Sequence, residues 1–140
     1  RNMDRLIKKW NTAKNMVPGP QIYNEKNSNK YGLLFFGTSQ YAVEEAIDIL
    51  SEQGVAVDGL RVRAFPFNRA VEDFISSHKK VFVIEQNRDA QMRSLLMIEL
   101  GAEPAKLLSV LNYDGMPVTA DHIVKEIRSQ LEDRRSVVSY

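Results

Sequence analysis

A dense group of long polar side chains follows an apolar run in the second half of the sequence. The run is Val81–Ile84, and the polar residues after it are Glu85, Gln86, Asn87, Arg88 and Asp89, with Gln91 further along. Open α/β sheets place ligands at the carboxyl ends of buried strands, which is where this group would lie. A helix cap from Asn87 or Asp89, with an ion pair of Arg88, explains the same residues without a ligand. We therefore predict a site or an interface here and keep the structural explanation open.

A second candidate is the turn Gly37-Thr38-Ser39, between the apolar run Tyr31–Phe36 and an amphipathic helix. Free amide groups and the positive end of a helix dipole at such a turn favour an anion. The turn is not a P-loop, because the lysine and the spaced glycines of that motif are missing. A simple helix cap from Thr38 or Ser39 also explains it. Both interpretations stay open.

The other reactive residue types do not form a self-contained catalytic centre. The sequence has no cysteine, which excludes a disulfide framework, a thiolate nucleophile and a cysteine-ligated iron–sulfur cluster within it. His78 follows a short helix, where it favours the helix dipole, and His122 opens the last helix, where we expect it to be solvated. Ser39 lies outside a Gly-x-Ser-x-Gly elbow and has no recognisable base.

The bulk composition describes one globular domain of ordinary size, with 140 residues of which 44% are apolar. Nineteen basic and 18 acidic residues give a net charge of +1, which indicates neither a nucleic-acid nor an anionic-membrane partner. The absence of cysteine fits a reducing, cytoplasmic setting.

Apolar runs that alternate with amphipathic helices position these candidates. The alternation is typical of a parallel sheet covered by helices on both faces, so we predict an α/β fold. The predicted strands are a weak one near Gln21–Glu25, then Tyr31–Phe36, the alternating and half-exposed Leu60–Ala64 near a sheet edge, Val81–Ile84 and Leu107–Leu111.

The helices between these strands begin at polar residues. Asn68 is expected to cap a short helix, Thr119 is expected to cap the last one, and the charged tail from Glu132 is expected to fray. The helix after Ser39 has an apolar face formed by Val43, Ala46, Ile47 and Leu50.

An opening helix precedes the alternating pattern. It spans Arg1 to Val17 and ends at Pro18-Gly19-Pro20, because proline cannot continue the helical hydrogen bonds. We interpret residues 1–20 as a connector from a missing upstream domain, residues 21–133 as the domain and residues 134–140 as a tail. A solvated helix with one buried stripe is the alternative for the opening segment.

The string from Val81 to Leu96, VFVIEQNRDAQMRSLL, resembles a known family. It is similar to the C-terminal, transketolase-C-like domain of 2-oxoacid:ferredoxin oxidoreductase alpha subunits. The likeness extends from about Tyr31 to Ile127, and its specific part is Glu85–Met92. The string Asn112–Ala120 favours the 2-oxoglutarate type over the pyruvate type. The other matching stretches are Gly32–Ala42 and Arg63–Phe67.

The resemblance implies a three-layer α/β/α domain with a five-stranded sheet in the order 1-3-2-4-5 and an antiparallel first strand. Leu60–Ala64 then lies one place in from the edge. The chain leaves Phe36 and Ile84 toward opposite sides of this sheet, so a crevice opens between Gly37–Ser39 and Glu85–Arg88. The candidate crevice or interface residues are Gly37, Thr38, Ser39, Glu85, Gln86, Asn87, Arg88 and Gln91.

The resemblance also implies a function. The intact enzyme would oxidatively decarboxylate a 2-oxoacid on thiamine diphosphate, form an acyl-CoA and pass electrons through iron–sulfur clusters to ferredoxin. Thiamine diphosphate and Mg would be held mainly by the beta subunit, so this chain would bind no cofactor and be inactive alone. Its role would be subunit assembly and framing of the active-site entrance.

A stand-alone flavodoxin-like or receiver-like module that binds an anion or nucleotide is the alternative. A receiver needs a phosphoacceptor aspartate at a strand end, but the buried strands here end in Gly37 and Glu85-Gln86-Asn87. A flavin module needs a longer phosphate loop than Gly37-Thr38-Ser39.

Overall fold

The computed structural model of the chain describes residues 1–23 and 29–138. None of the helices in this part of the chain is both long and apolar enough to cross a membrane. The end of the predicted weak strand near Gln21–Glu25 lies outside the described residues. The helices are α1 (Asn2–Met16), α2 (Gln40–Glu52), α3 (Arg69–Ser77), α4 (Gln91–Leu100) and α5 (Ala120–Val138); the strands are β1 (Gln21–Tyr23), β2 (Tyr31–Phe36), β3 (Val57–Val62), β4 (Lys80–Glu85) and β5 (Leu107–Leu111).

The five strands form one sheet in the order β1-β3-β2-β4-β5, with β1 antiparallel and the other pairs parallel. Leu33 and Leu34 point to opposite faces because side chains alternate along a strand. Leu33 belongs to a core cluster with α2 and α5, and Leu34 belongs to one with α3 and α4. The predicted three-layer α/β/α fold is therefore confirmed.

The position of β3 corrects one expectation from the pattern. Leu60–Ala64 was predicted as a half-exposed strand near an edge, but β3 spans Val57–Val62, is almost wholly buried and lies one place in, as the resemblance implies. Ala64 lies outside the strand. The first half of β3 does not look like a strand in the sequence, because it contains Asp58 and Gly59 and both residue types are rare in strands. Gly59 lies close to its neighbours, since an added Cβ would lie 2.9 Å from Ile47 Cδ1 and 3.3 Å from Tyr23 Cβ, and these side chains would have to move.

Helix ends also differ from the expectations. Thr119 caps α5 as predicted, because its Oγ1 accepts from the His122 amide at 3.2 Å. Asn68 lies at the predicted N-cap position of α3, but its side chain makes no capping hydrogen bond, and neither does that of Ser39 before α2. Ser39 already has helical backbone angles at the end of a short 3-10 turn. Helix α5 continues through Val138, so residues 134–138 are helical rather than a frayed tail.

The outer edge of β5 is covered by side chains of α4 and α5. His122, which was expected to be solvated, is half-buried and takes part in this cover. A carbonyl oxygen can only accept, so each side-chain nitrogen donates. The three bonds are Arg93 Nε to the Leu107 carbonyl (2.8 Å), Gln130 Nε2 to the Ser109 carbonyl (2.8 Å) and His122 Nε2 to the Leu111 carbonyl (2.9 Å).

Candidate functional site

Glu85, the last residue of β4, has a fully buried carboxylate that holds the start of α4. Its Oε1 accepts from the Met92 amide at 2.6 Å and from Asn87 Nδ2 at 2.9 Å. Its Oε2 accepts from the Arg93 amide at 3.1 Å. These amides belong to the first helical turn, where the helix dipole also favours a negative charge. Glu85 therefore fixes the strand end, the loop and α4 relative to one another.

The loop between β4 and α4 is tight. Ala90 has a φ of 50°, a left-handed conformation that is unfavourable for a residue with a Cβ. Asn87 Oδ1 accepts from the Gln91 amide at 3.3 Å, so the predicted cap by Asn87 is present. Glu85 accepts from two further amides of the same helical turn. The sequence pattern identified Asn87 and missed the role of Glu85, because helix caps usually lie within the first turn.

Gln86 joins the two predicted loops. Its Nε2 donates to Ser39 Oγ at 3.1 Å and to Thr38 Oγ1 at 3.3 Å. Arg61 Nη2 donates to the Gly37 carbonyl from the other side at 3.3 Å. The loops after β2 and β4 therefore meet at the switch point of the sheet, and whether they form a functional site stays a prediction.

Gln86 packs the two loops against each other at this place, and anion binding by the turn stays a prediction. The hydroxyl groups of Thr38 and Ser39 already accept from Gln86, and Ser39 is buried. The guanidinium of Arg88 is exposed and lies 3.1 Å from the Asp89 carboxylate, which agrees with the predicted ion pair. An exposed ion pair contributes little to stability, so Arg88 can exchange this partner for another at small cost.

A buried polar network that the sequence did not reveal lies at the opposite, amino-terminal edge of the strands. Asp58 Oδ2 lies 2.7 Å from His78 Nε2, and Asp58 Oδ1 accepts from Asn29 Nδ2 at 2.8 Å. His78 Nδ1 donates to the Phe74 carbonyl at 2.6 Å. His78 thus contacts the end of α3, as its sequence position suggested, but it is buried and pairs with an acid twenty residues away. Nothing in the local pattern marks that pairing.

This network borders a cavity of about 420 Å³. Ser77 Oγ lies 3.2 Å from His78 Nδ1, which gives the three residues a superficial likeness to a catalytic triad. The likeness fails because Nδ1 carries its proton toward the Phe74 carbonyl and cannot act as a base for Ser77. We therefore assign the network a structural role.

The side chains that commonly ligate metals do not cluster in the described part of the chain. There is no cysteine to ligate iron. Within residues 1–23 and 29–138, no group of three or more histidine, cysteine, aspartate and glutamate side chains could hold a metal ion.

Comparisons with known proteins relate the chain to one class of oxidoreductase. No family model matches the sequence. Subunit alpha of the 2-oxoacid:ferredoxin oxidoreductase 2 of Aeropyrum pernix is 25% identical over 144 residues, which covers 99% of this chain and 22% of that subunit. The chain therefore spans about a fifth of the length of this relative.

Solved structures agree on the fold. The 2-oxoglutarate:ferredoxin oxidoreductase of Magnetococcus marinus, solved with 2-oxoglutarate, coenzyme A and succinyl-CoA, matches 85% of this chain and 21% of its own, with a TM-score of 0.75 and 21% identity. The alpha chain of a probable 2-oxoacid ferredoxin oxidoreductase of Thermoplasma acidophilum matches 81% of this chain and 97% of its own (TM-score 0.55, 24% identity). A split-gene transketolase, an inactive beta4 tetramer, matches 72% and 38% (TM-score 0.60, 17% identity). The transketolase-C-like fold is thus supported.

Proposed function

We propose that the chain is the C-terminal domain of the alpha subunit of a 2-oxoacid:ferredoxin oxidoreductase, where it supports subunit assembly and frames the active-site entrance. The observation that carries the proposal is the relative from Aeropyrum pernix. Its likeness extends over 99% of this chain yet occupies 22% of the subunit, as expected of one domain in a larger polypeptide. Residues 1–20 would connect to the upstream part, and residues 21–133 would form the domain.

The intact enzyme would oxidatively decarboxylate a 2-oxoacid to an acyl-CoA and transfer the electrons to ferredoxin. Thiamine diphosphate and Mg would be held mainly by the beta subunit, and the iron–sulfur cluster by other parts of the assembly, which agrees with the lack of cysteine in this chain. The domain alone would be inactive, and the enzyme would be cytoplasmic. The string Asn112–Ala120 and the 2-oxoglutarate in the Magnetococcus marinus structure support 2-oxoglutarate as the substrate.

The geometry of the crevice supports an assembly role. Glu85 and Gln86 make their hydrogen bonds inside the domain, whereas the exposed Arg88 presents its side chain outward. Buried groups of this kind hold a loop in one shape, and an exposed arginine is a frequent contact residue in protein interfaces. Asn87 holds the loop between these groups, because its side chain donates to Glu85 Oε1 and accepts from the Gln91 amide.

The test is reconstitution with the matching beta subunit and the rest of the alpha subunit. Co-purification measures assembly, and 2-oxoglutarate-dependent reduction of a viologen dye measures activity, each with and without this chain. We expect activity to require the chain and to fall about tenfold or more when both Asn87 and Arg88 are replaced by alanine, since this removes the exposed arginine together with the side chain that holds its loop.

Lys125→Ala is the matched control, because it removes an exposed cation from α5. It should leave both assembly and activity unchanged. Absence of association, together with activity that does not depend on the chain, would contradict the proposal. Bound yellow chromophore on the purified chain would instead favour the independent binding module.

A further inference from the structure

The cavity of about 420 Å³ at the amino-terminal edge of the sheet is lined by α3 and by the strands β1 and β3. Ala70, Asp73, Phe74 and Ser77 of α3 line it together, because their spacing places them on one face of the helix. The strand β1 contributes Ile22. Sites for small molecules have volumes of about 300–1,000 Å³ and mainly apolar walls with a few polar groups. The cavity has the size and the walls of such a site.

The strand β3 contributes a buried carboxylate to this cavity. Asp58 is 3% exposed, lies 2.7 Å from His78 Nε2 and accepts from Asn29 Nδ2 at 2.8 Å. A carboxylate has about four positions that accept hydrogen bonds, so Asp58 can accept from a ligand as well. Asn29 also lines the cavity, and its side-chain carbonyl oxygen is a further acceptor. The network that holds His78 in place therefore supplies the polar part of the cavity wall.

The charged side chains at the cavity are mainly acidic. Asp73 adds a second carboxylate, which is 68% exposed. Arg69 Nε lies 3.8 Å from it and is itself exposed, and an exposed pair of this kind is weak, so Asp73 can take another partner. No lysine or arginine of the described part of the chain lines the cavity, and the ring of His78 is engaged by Asp58 and by the Phe74 carbonyl.

We infer that this cavity binds a small organic ammonium ion. The ammonium group donates to Asp58 and Asp73, because it has three N–H donors and no acceptor. The apolar part of the ion packs against Ile22, Ala70 and Phe74. An anion of the same size would face two carboxylates, and like charges brought together cost several kcal/mol. The inference does not depend on the proposed function, because the cavity lies at the edge of the strands opposite to the crevice.

Probes of similar size and different charge test which ligand the cavity selects. Benzylammonium, benzyl alcohol and benzoate are each titrated into the isotope-labelled chain at constant pH and ionic strength, and NMR chemical shifts give the dissociation constants. We expect benzylammonium to bind about tenfold or more tightly than benzoate, because the carboxylates oppose an anion. Benzyl alcohol should fall between them. The shifts should be largest at the amides of Asn29, Ala70 and His78, which line the cavity.

Matched substitutions test whether the probe occupies this cavity. Ala70→Trp fills part of it and should weaken benzylammonium binding about tenfold or more, because the added ring clashes with the probe. Asp73→Asn should weaken binding about twofold to fivefold, the range of an exposed ion pair. Ser76→Trp on another face of α3 and Asp48→Asn on α2 are the controls, since both residues are exposed and neither lines the cavity. Both controls should bind like the unchanged chain, and circular dichroism checks that all variants fold.

Several results would overturn the inference. Benzoate or benzyl alcohol that binds as tightly as benzylammonium would show that the cavity does not select a cation. Unchanged affinity of a folded Ala70→Trp variant, or of Asp73→Asn, would place the probe elsewhere. Absence of shifts at the lining residues would show that the cavity takes no such ligand. None of these measurements uses subunit association or dye reduction, so failure of the cavity and failure of the proposed function are distinguishable.

Discussion

The buried carboxylate of Glu85 allows a quantitative prediction from its three hydrogen bonds. Glu85→Gln keeps the shape of the side chain but replaces one oxygen with an NH2 group. If the remaining oxygen keeps the Met92 amide and Asn87, the NH2 group faces the Arg93 amide, and two donors oppose each other. The variant therefore tests the charge and the acceptor count rather than the volume.

The expected cost follows from the bonds that change. Hydrogen bonds to a charged group contribute about 1.5–3 kcal/mol against about 1 kcal/mol for neutral ones, and a buried donor without a partner costs about 1–3 kcal/mol. The neutral side chain is easier to bury, which offsets part of this loss. We expect a net loss of about 2–3 kcal/mol in the free energy of unfolding. For a chain of this length, that loss lowers Tm by roughly 10 °C.

Urea denaturation followed by circular dichroism measures the loss, and Glu45→Gln serves as the control because Glu45 is exposed on α2. Amide hydrogen exchange at Met92 and Arg93 should accelerate in Glu85→Gln and stay unchanged in the control. Equal unfolding free energies of the two variants, with unchanged exchange at both amides, would refute the assigned role of Glu85.

Two further substitutions test the packing at the amino-terminal edge by urea denaturation. Gly32→Ala should destabilise by about 1–3 kcal/mol, because its Cβ would lie 2.7 Å from Phe74 Cε1. Gly19→Ala should be close to neutral, because its added Cβ would lie 3.4 Å from the nearest atom, Asn68 Nδ2. Equal losses of unfolding free energy in Gly32→Ala and Gly19→Ala would contradict the steric argument. Asp58→Ala should cost about 3–5 kcal/mol, since it leaves His78 buried without its acid. A loss no larger than that of the exposed Asp48→Ala would show that the pair contributes little.

The fold was predictable where the apolar residues of a segment followed one clear pattern, either a continuous run or a helical spacing. The bounds of β2 and β5 agree with the predicted strands, because each is an apolar run between polar residues. The four residues predicted for the inner face of α2 are buried, since their spacing matches a helix that packs on one side. Strand β3 was misjudged because Asp58 and Gly59 interrupt its apolar pattern, and because its place inside the sheet depends on pairing with β1, in which Ile22 lies opposite Leu60.

The candidate site was predictable in position but not in its contacts. A polar group after a buried strand must lie at the carboxyl edge, so the location follows from the pattern alone. The bond from Gln86 to Ser39 joins residues 47 positions apart, and no local pattern encodes it. The pairing of Asp58 with His78 was hidden for the same reason.

The side chains along β5 have a consequence for how this domain can associate. An open sheet edge is a template for a further strand, and such edges lead to aggregation or to β-augmentation by a peptide. Arg93, Gln130 and His122 occupy the carbonyl oxygens that an added strand would need. The other edge is β1, of which the described part of the chain contains the three residues Gln21–Tyr23. The covered edge of β5 is therefore a poor template for an added strand, and we expect any association of this domain to use side chains of loops and helices instead.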